Sequence, residues 1–301
     1  MKILISGASG LLGSQLKRFF KESGAQVFPI TRVVANGSIT NGVAWNPSTG
    51  WFDCQAMEGT DTVIHLAGEN VATGPWTKRK KARIHSSRVQ GTGQLVSAIS
   101  QLKNPPKTFF CASATGFYGN TGEVECRETH TAGKGFLASV CVDWEREAQK
   151  ARTDSTRVVL LRFGVILDPS GGALKKMLLP FRLGLGGRIG SGKQYFPWIA
   201  APEIPRIIDS LIHHYPNLSG PVNMVAPQAV TNAIFTKTLA RHLKRPALIP
   251  VPELAVKALF GEMGKEMFLG SCQAIPSALE QAGYSFAYPN LDATFQSLFQ
   301  T

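Results

Sequence analysis

The sequence is poor in the features that mark several protein classes. It has five cysteines in 301 residues (Cys54, Cys111, Cys126, Cys141 and Cys272), scattered and without a C-x-x-C pair. That argues against a disulfide framework and a zinc site, and it suits a reducing, cytoplasmic setting; no metal is expected. No apolar run approaches the roughly eighteen residues that a membrane span needs. The opening Met1-Lys2-Ile3-Leu4-Ile5-Ser6 lacks the charged, long-apolar and cleavage regions of a signal peptide. Charged residues are modest at 17% against 44% hydrophobic, which argues against disorder. Acids are scarce, 20 against 32 Lys and Arg, for a net charge of +12. The one dense basic cluster, Lys78-Arg79-Lys80-Lys81-Ala82-Arg83, lies in a helical pattern with Ile84, Val89, Leu95, Val96 and Ile99 on its apolar side. Such a run reads as a solvated helix face, so neither nucleic acid nor membrane is expected as a partner. The excess of positive charge suits an anionic small molecule.

What is present is an alternation of strands and helices. Lys2–Ser6, Gln26–Thr31, Thr62–Leu66, Thr108–Ala112 and Arg157–Phe163 read as strands. Leu11–Glu22, the basic stretch and Val140–Ala151 read as helices. This order predicts an α/β fold, a Rossmann-type doubly wound parallel sheet. Beyond about Gly171 the texture changes. Glycines crowd Leu183–Gly192, which reads as a long loop, and short helices at Ile204–His214, Ile234–Leu243 and Glu253–Phe260 are separated by prolines. The expected division is a dinucleotide-binding domain over 1–170 and a smaller C-terminal substrate lobe over 171–301, with later segments returning to the sheet.

Gly7-Ala8-Ser9-Gly10-Leu11-Leu12-Gly13 is G-x-x-G-x-x-G directly after a strand and opening a helix. Glycine allows the tight turn and the close approach of a pyrophosphate, and the helix N-terminus offers free N–H groups. The second strand ends Val27-Phe28-Pro29-Ile30-Thr31-Arg32 with no carboxylate nearby. An acid there would suit the 2′-hydroxyl of NAD, whereas Arg32, with Thr31 beside it, suits a 2′-phosphate, so NADP(H) is the expected cofactor. A surface arginine without a ligand is the competing reading.

The glycine spacing resembles the extended short-chain dehydrogenase/reductase superfamily. Further runs resemble epimerase-family proteins of the atypical "39U" type: Asp61–Asn70, Val43–Pro47, Ser87-Arg88, Ser113–Gly119, Arg162–Leu167, Leu179–Gly187, Ile189–Gly192, Phe196–Ile199 and Gly220–Pro227. The similarity spans essentially the whole chain. It implies an NADP-binding fold, with Gly7, Ser9, Gly10, Leu11, Leu12, Gly13, Thr31, Arg32, Leu66, Ala67, Gly68, Glu69, Arg88, Ser113, Phe163 and Ile166 around the cofactor. It implies a substrate only weakly. Arg88 stands where extended members commonly place asparagine; it would face the pyrophosphate or the nicotinamide ribose, or else pair with a neighbouring helix.

The superfamily's Tyr-x-x-x-Lys pair, in which lysine lowers the tyrosine pKa and the phenol moves the proton, is missing. Four residues after the five tyrosines stand Gly122, Ile199, Ser219, Tyr288 and Asp292. Where the helix should carry the pair, phenylalanine or leucine and then valine or cysteine occur (Phe136, Leu137, Val140, Cys141). Ser113 and Tyr118 are the expected catalytic substitutes, if they reach the crevice past the strand ends; otherwise Ser113 caps a turn and Tyr118 packs. Arg188, Phe196 and Trp198, beside the glycine-dense loop, are the expected substrate contacts for an anionic guest. The expected function is an NADP(H)-dependent oxidoreductase or epimerase acting on a small polar molecule, a nucleotide-linked sugar among the candidates. A non-catalytic NADP(H)-responsive protein is the alternative.

Overall fold

Lys2–Ser6 forms β1, and its last four residues are almost wholly sealed from solvent. A strand buried on both faces belongs inside a parallel sheet flanked by helices. The computed structural model, which describes residues 1–299, contains such a sheet. After β1 come α1 (Leu11–Glu22), β2 (Gln26–Arg32), β3 (Val43–Asn46), β4 (Trp51–Phe52), α2 (Cys54–Met57), β5 (Thr62–His65) and α3 (Lys78–Ser100). Next are β6 (Thr108–Ala114), β7 (Glu125–Cys126), α4 (Phe136–Gln149), β8 (Arg157–Phe163), β9 (Val165–Asp168) and α5 (Gly172–Arg182). The rest holds β10 (Trp198–Ala200), α6 (Glu203–His213), β11 (Gly220–Met224) and α7 (Asn232–Leu243). It closes with α8 (Glu253–Met267), β12 (Gln273–Ala274), α9 (Ser277–Gln281) and α10 (Leu291–Phe299).

Eight strands form the main sheet in the order β11-β8-β6-β5-β1-β2-β3-β4, parallel except for the β3–β4 hairpin. The two-residue period of a strand sends Leu4 to one face, and Ile3 and Ile5 to the other. On the first face α3 and α4 bring Leu95, Ile99, Trp144 and Ala148 against Leu4, Val63 and Phe109. On the second, α1 and α6 bring Leu16, Phe20, Ile204 and Ile207 against Ile3, Ile5 and Ile64. The strand order turns back between β1 and β5, and in an open parallel sheet the ligand crevice lies past the strand ends at that point.

The division near residue 170 is not a clean cut. β11 pairs with β8 from Gly220↔Val159 to Met224↔Phe163, and α6 covers the sheet, so 203–224 return to it. What stands apart is a second core around Trp198, Phe235, Leu239 and Phe295, built by β10, α5, α7 and α10. Residues 300 and 301 of the expected lobe lie outside the described residues. The sequence reading assigns no element to 172–182, where α5 is a helix that runs through Pro180. The proline falls in its last turn, and burial of Leu174, Leu178 and Phe181 holds the helix despite the lost N–H.

Candidate functional site

The glycine loop joins β1 to α1 at the crevice. Gly7 has φ +69°, and a Cβ there would lie 3.1 Å from Ala67 N and Leu66 C. A Cβ on Gly13 would fall 2.2 Å from Gly7 O, inside any tolerable contact, so the turn can close only with glycine. The helical ladder starts with Ser14 N to Gly10 O, and no side chain caps the end. The amides of Leu11, Leu12 and Gly13 therefore precede the first helical bond and are left for an acceptor outside the helix. Ser9 and Gly10 are exposed on the same loop. β1 and β2 pair up to Ser6↔Ile30, which carries Thr31 and Arg32 past the end of β1. Both are exposed, and Arg32 makes no ion pair or hydrogen bond among the described residues.

A buried polar chain fastens this loop to its neighbours. Ser6 Oγ accepts from Leu66 N at 3.0 Å and Ala67 N at 3.2 Å, which leaves its own hydrogen for His65 Nδ1 at 2.7 Å. His65 Nε2 then donates to Thr92 Oγ1 at 3.0 Å, which also accepts the Trp144 indole N–H at 2.9 Å. Burial pulls the His65 pKa down to about 4, so the ring is neutral near pH 7. The expected residues Leu66, Ala67, Gly68 and Glu69 follow directly, beside Gly7. Glu69 accepts from Lys80 at 2.7 Å and pairs with Arg83 at 3.4 Å. The Lys80 hydrogen bond, chiefly, holds its carboxyl below the ordinary value.

Arg88 reaches the same place from α3. Its Nη1 donates to Glu69 O at 3.0 Å and Ile84 O at 3.2 Å, and its Cζ lies 5.1 Å from the centre of the Trp144 ring. The expected alternative of a salt bridge to another helix is not found: no carboxylate pairs with Arg88 among the described residues. On the opposite wall Phe163 and Ile166 are half-buried. A Cβ on Gly171 would lie 2.8 Å from the Leu11 side chain, which sets the start of α5 against the glycine loop. Gln15 of α1 donates to Asp168 at the end of β9.

Ser113 and Tyr118, expected as the catalytic substitutes, are both buried and hydrogen-bonded within the protein. Ser113 is 3% exposed and donates to Glu145 Oε1 at 2.6 Å. Glu145 in turn is held by Arg162, Nε to Oε1 at 2.9 Å and Nη2 to Oε2 at 2.8 Å. Tyr118 is fully buried; its hydroxyl donates to Asn223 Oδ1 at 2.7 Å and accepts from Arg162 Nη1 at 2.9 Å. Burial, the largest influence, pushes its pKa up to about 12. Both hydroxyls are committed to one buried network, because a buried Arg–Glu pair needs its remaining donors and acceptors filled. On α4 the side chains of Leu137 and Cys141 offer no charge, and burial followed by Glu145 pushes the Cys141 thiol up to about 11. α4 begins at Phe136, ahead of the expected Val140, because Glu266 of α8 accepts from Phe136 N at 2.8 Å and Leu137 N at 2.9 Å.

The expected substrate contacts separate. Trp198 is 1% exposed in the second core, its indole N–H donating to Gln228 O at 3.1 Å, so it packs and offers no face to a ligand. Phe196 is half-buried against Phe235, with ring centres 4.6 Å apart. Arg188 is exposed, but Nη1 folds back onto Ser191 O at 2.7 Å in its own loop. Two groups escaped the sequence reading. Arg162 is a charge inside the apolar run Val158–Phe163, a signal that a buried partner was required, whereas Glu145 stands among Asp143, Arg146 and Glu147 and gives no such signal. The capping carboxylate of Glu266 carries no such signal, since nothing local ties it to residue 136.

Comparison with known proteins gives the family and the fold. The profile described as NAD dependent epimerase/dehydratase family matches residues 3–225, and that of a domain of unknown function (DUF1731) matches residues 251–298. The chain is 42% identical over 284 residues to the epimerase family protein Mb2239 of Mycobacterium bovis, covering 94% of this chain and 93% of that protein. It is similar to a crystal structure of the human epimerase family protein SDR39U1 with NADPH, at a TM-score of 0.89 and 32% identity, covering 100% of both chains. MoeE5 in complex with UDP-glucuronic acid and NAD, at a TM-score of 0.77 and 18% identity, covers 100% of this chain and 98% of its own and shares the fold.

Proposed function

Because the chain belongs to the NAD dependent epimerase/dehydratase family, we propose that it binds NADP(H) and is an oxidoreductase or epimerase acting on a small polar, anionic molecule. The observation that carries the cofactor assignment is the basic group at the end of β2: Arg32 is exposed, with no partner among the described residues, beside a loop whose three free amides suit a pyrophosphate. The glycine loop fits such a group, because the turn that presents these amides closes only with glycine at 7 and 13, where a Cβ would run into the backbone of Leu66–Ala67 and of Gly7–Ala8. The human relative solved with NADPH supports the phosphorylated form of the cofactor. When bound, the nicotinamide supplies or accepts hydride. The chain's own part is to hold and orient: Ser6, His65 and Thr92 fix the end of β5, Leu66–Glu69 and Phe163 with Ile166 form the walls, and Arg88 stands where cofactor and substrate would meet. Nucleotide-linked sugars are among the candidate substrates.

A second reading is favoured by α4. With phenylalanine or leucine and then valine or cysteine in the relay positions, and burial pushing the Cys141 thiol up to about 11, those positions offer no group that moves a proton near pH 7, as suits a protein that responds to NADP(H) without turning over. Calorimetric titration tests the cofactor assignment. NADP(H) is expected to bind at least tenfold more tightly than NAD(H), about 1.4 kcal/mol, and Arg32→Asp is expected to remove that preference. Equal affinities in the unaltered protein would overturn it. Hydride exchange at nicotinamide C4 with candidate carbonyl compounds separates the two readings.

A further inference from the structure

We infer that the Nε–Nη2 edge of Arg88 is the crevice's receptor for an oxyanion, a carboxylate or phosphate, carried by the substrate. This rests on the proposed function for the identity of the crevice, but the argument is made by the arginine itself. Burial is the chief influence on this guanidinium and works against its charge. A desolvated cation is ordinarily paired, because leaving it alone is costly. The other basic groups around it are matched: Lys80 and Arg83 by Glu69, Lys81 by Glu262. Glu69 is the carboxylate that acts on Arg88, and it is already taken by Lys80. Arg88 alone of this group has no carboxylate.

The fork is also held in a definite orientation. Nη1 is pinned by Glu69 O and Ile84 O, and the Trp144 ring lies beneath the plane. Nε and Nη2 make no hydrogen bond among the described residues. Neither is sealed in the interior without a partner, so this edge opens to solvent. Two N–H groups side by side on one edge of a guanidinium match the two oxygens of a carboxylate or phosphate. The cover over the group is Gly68, itself exposed; a Cβ there would lie 3.3 Å from Cζ and 3.4 Å from Nη1 and Nη2. Glycine at 68 therefore keeps that face of the guanidinium clear of a side chain. Arg188, expected to hold the anion, has one arm tied to its own loop.

The test uses the full-length protein saturated with NADP+ and titrated with oxalate and, separately, with inorganic phosphate, read by tryptophan fluorescence and calorimetry. Arg88→Gln is expected to weaken the better of the two probes at least tenfold, and by a larger factor than it weakens NADPH. Arg88→Lys, with charge but no fork, is expected to recover only part of the loss, and Arg188→Ala to change nothing. Oxalate and phosphate bound equally well by Arg88→Gln and the unaltered protein, or bound by neither, would overturn the inference. A tenfold loss of NADPH affinity with the probe unaffected would assign the edge to the cofactor's phosphates instead. If Arg88→Gln does not fold, Gly68→Ala reads the same site by covering the guanidinium. Failure of the unaltered protein to bind NADPH would sink the proposed function, and oxalate titration of the cofactor-free protein would still judge Arg88.

Discussion

Removing the carboxylate of Glu145 should expose how much the buried network under the crevice matters. Arg162 and Glu145 are 4% and 9% exposed at their side chains, and two charge-assisted bonds of 2.8 and 2.9 Å join them. Glu145→Leu leaves the Arg162 guanidinium with Tyr118 and the Glu128 carbonyl but without a counter-charge. Breaking one partner of such a pair costs about 3–5 kcal/mol, most of it from the stranded charge. At roughly 2 °C per kcal/mol in a chain of this size, the unfolding midpoint should fall by about 6–10 °C. The double variant Glu145→Leu/Arg162→Met removes the stranded charge along with its partner, so it should recover at least half of that loss. Urea unfolding at pH 7 across the four-member cycle measures this coupling. If Glu145→Leu costs under about 1 kcal/mol, or the two substitutions simply add, the pair is not a desolvated ion pair and the reasoning fails.

The neighbouring predictions follow from the same geometry. Ser113→Ala should cost about 1.5–3 kcal/mol of stability, the value of a hydrogen bond to a charged group, while leaving NADPH affinity unchanged; lost cofactor binding at full stability would return Ser113 to the crevice. Gly13→Ala should abolish NADPH binding in a fluorescence titration, because its Cβ would meet Gly7 O at 2.2 Å; retained affinity would mean that the loop is looser than described. His65, with its pKa pulled down to about 4 from 6.5, is protonated more readily in the unfolded chain. Its contribution is therefore complete above pH 6.5 and lost as pH falls from 6.5 to 4, about 3 kcal/mol over that window. Unfolding measured across the window should lose most of that slope in His65→Gln, and an unchanged slope would refute the assignment. The carboxylates with lowered pKa act at lower pH, so the window is diagnostic.

The strand and helix order, the parallel sheet and the glycine loop were legible in the sequence, because each depends on neighbours in the chain. A run such as Ile3-Leu4-Ile5 before Gly7 declares a buried strand and a turn by its own composition, and Arg32 at the end of β2 declares its charge in the same way. Helix boundaries were less legible where a distant group decides them: α4 starts at Phe136 because Glu266, 130 residues on, accepts its amide. The side-chain assignments at the crevice depended most on tertiary structure. Ser113 and Tyr118 stand at the right strand end, yet Glu145, Arg162 and Asn223, brought there from three other elements, take both hydroxyls. Arg88 shows the converse. Its sequence neighbours leave both a salt bridge and a ligand open, and only packing against Gly68 and Trp144, with every nearby carboxylate already engaged, leaves it unpaired. Local pattern specifies where backbone must run, since hydrogen bonding and burial act residue by residue; whether a polar group is spent or free depends on what the whole fold sets against it.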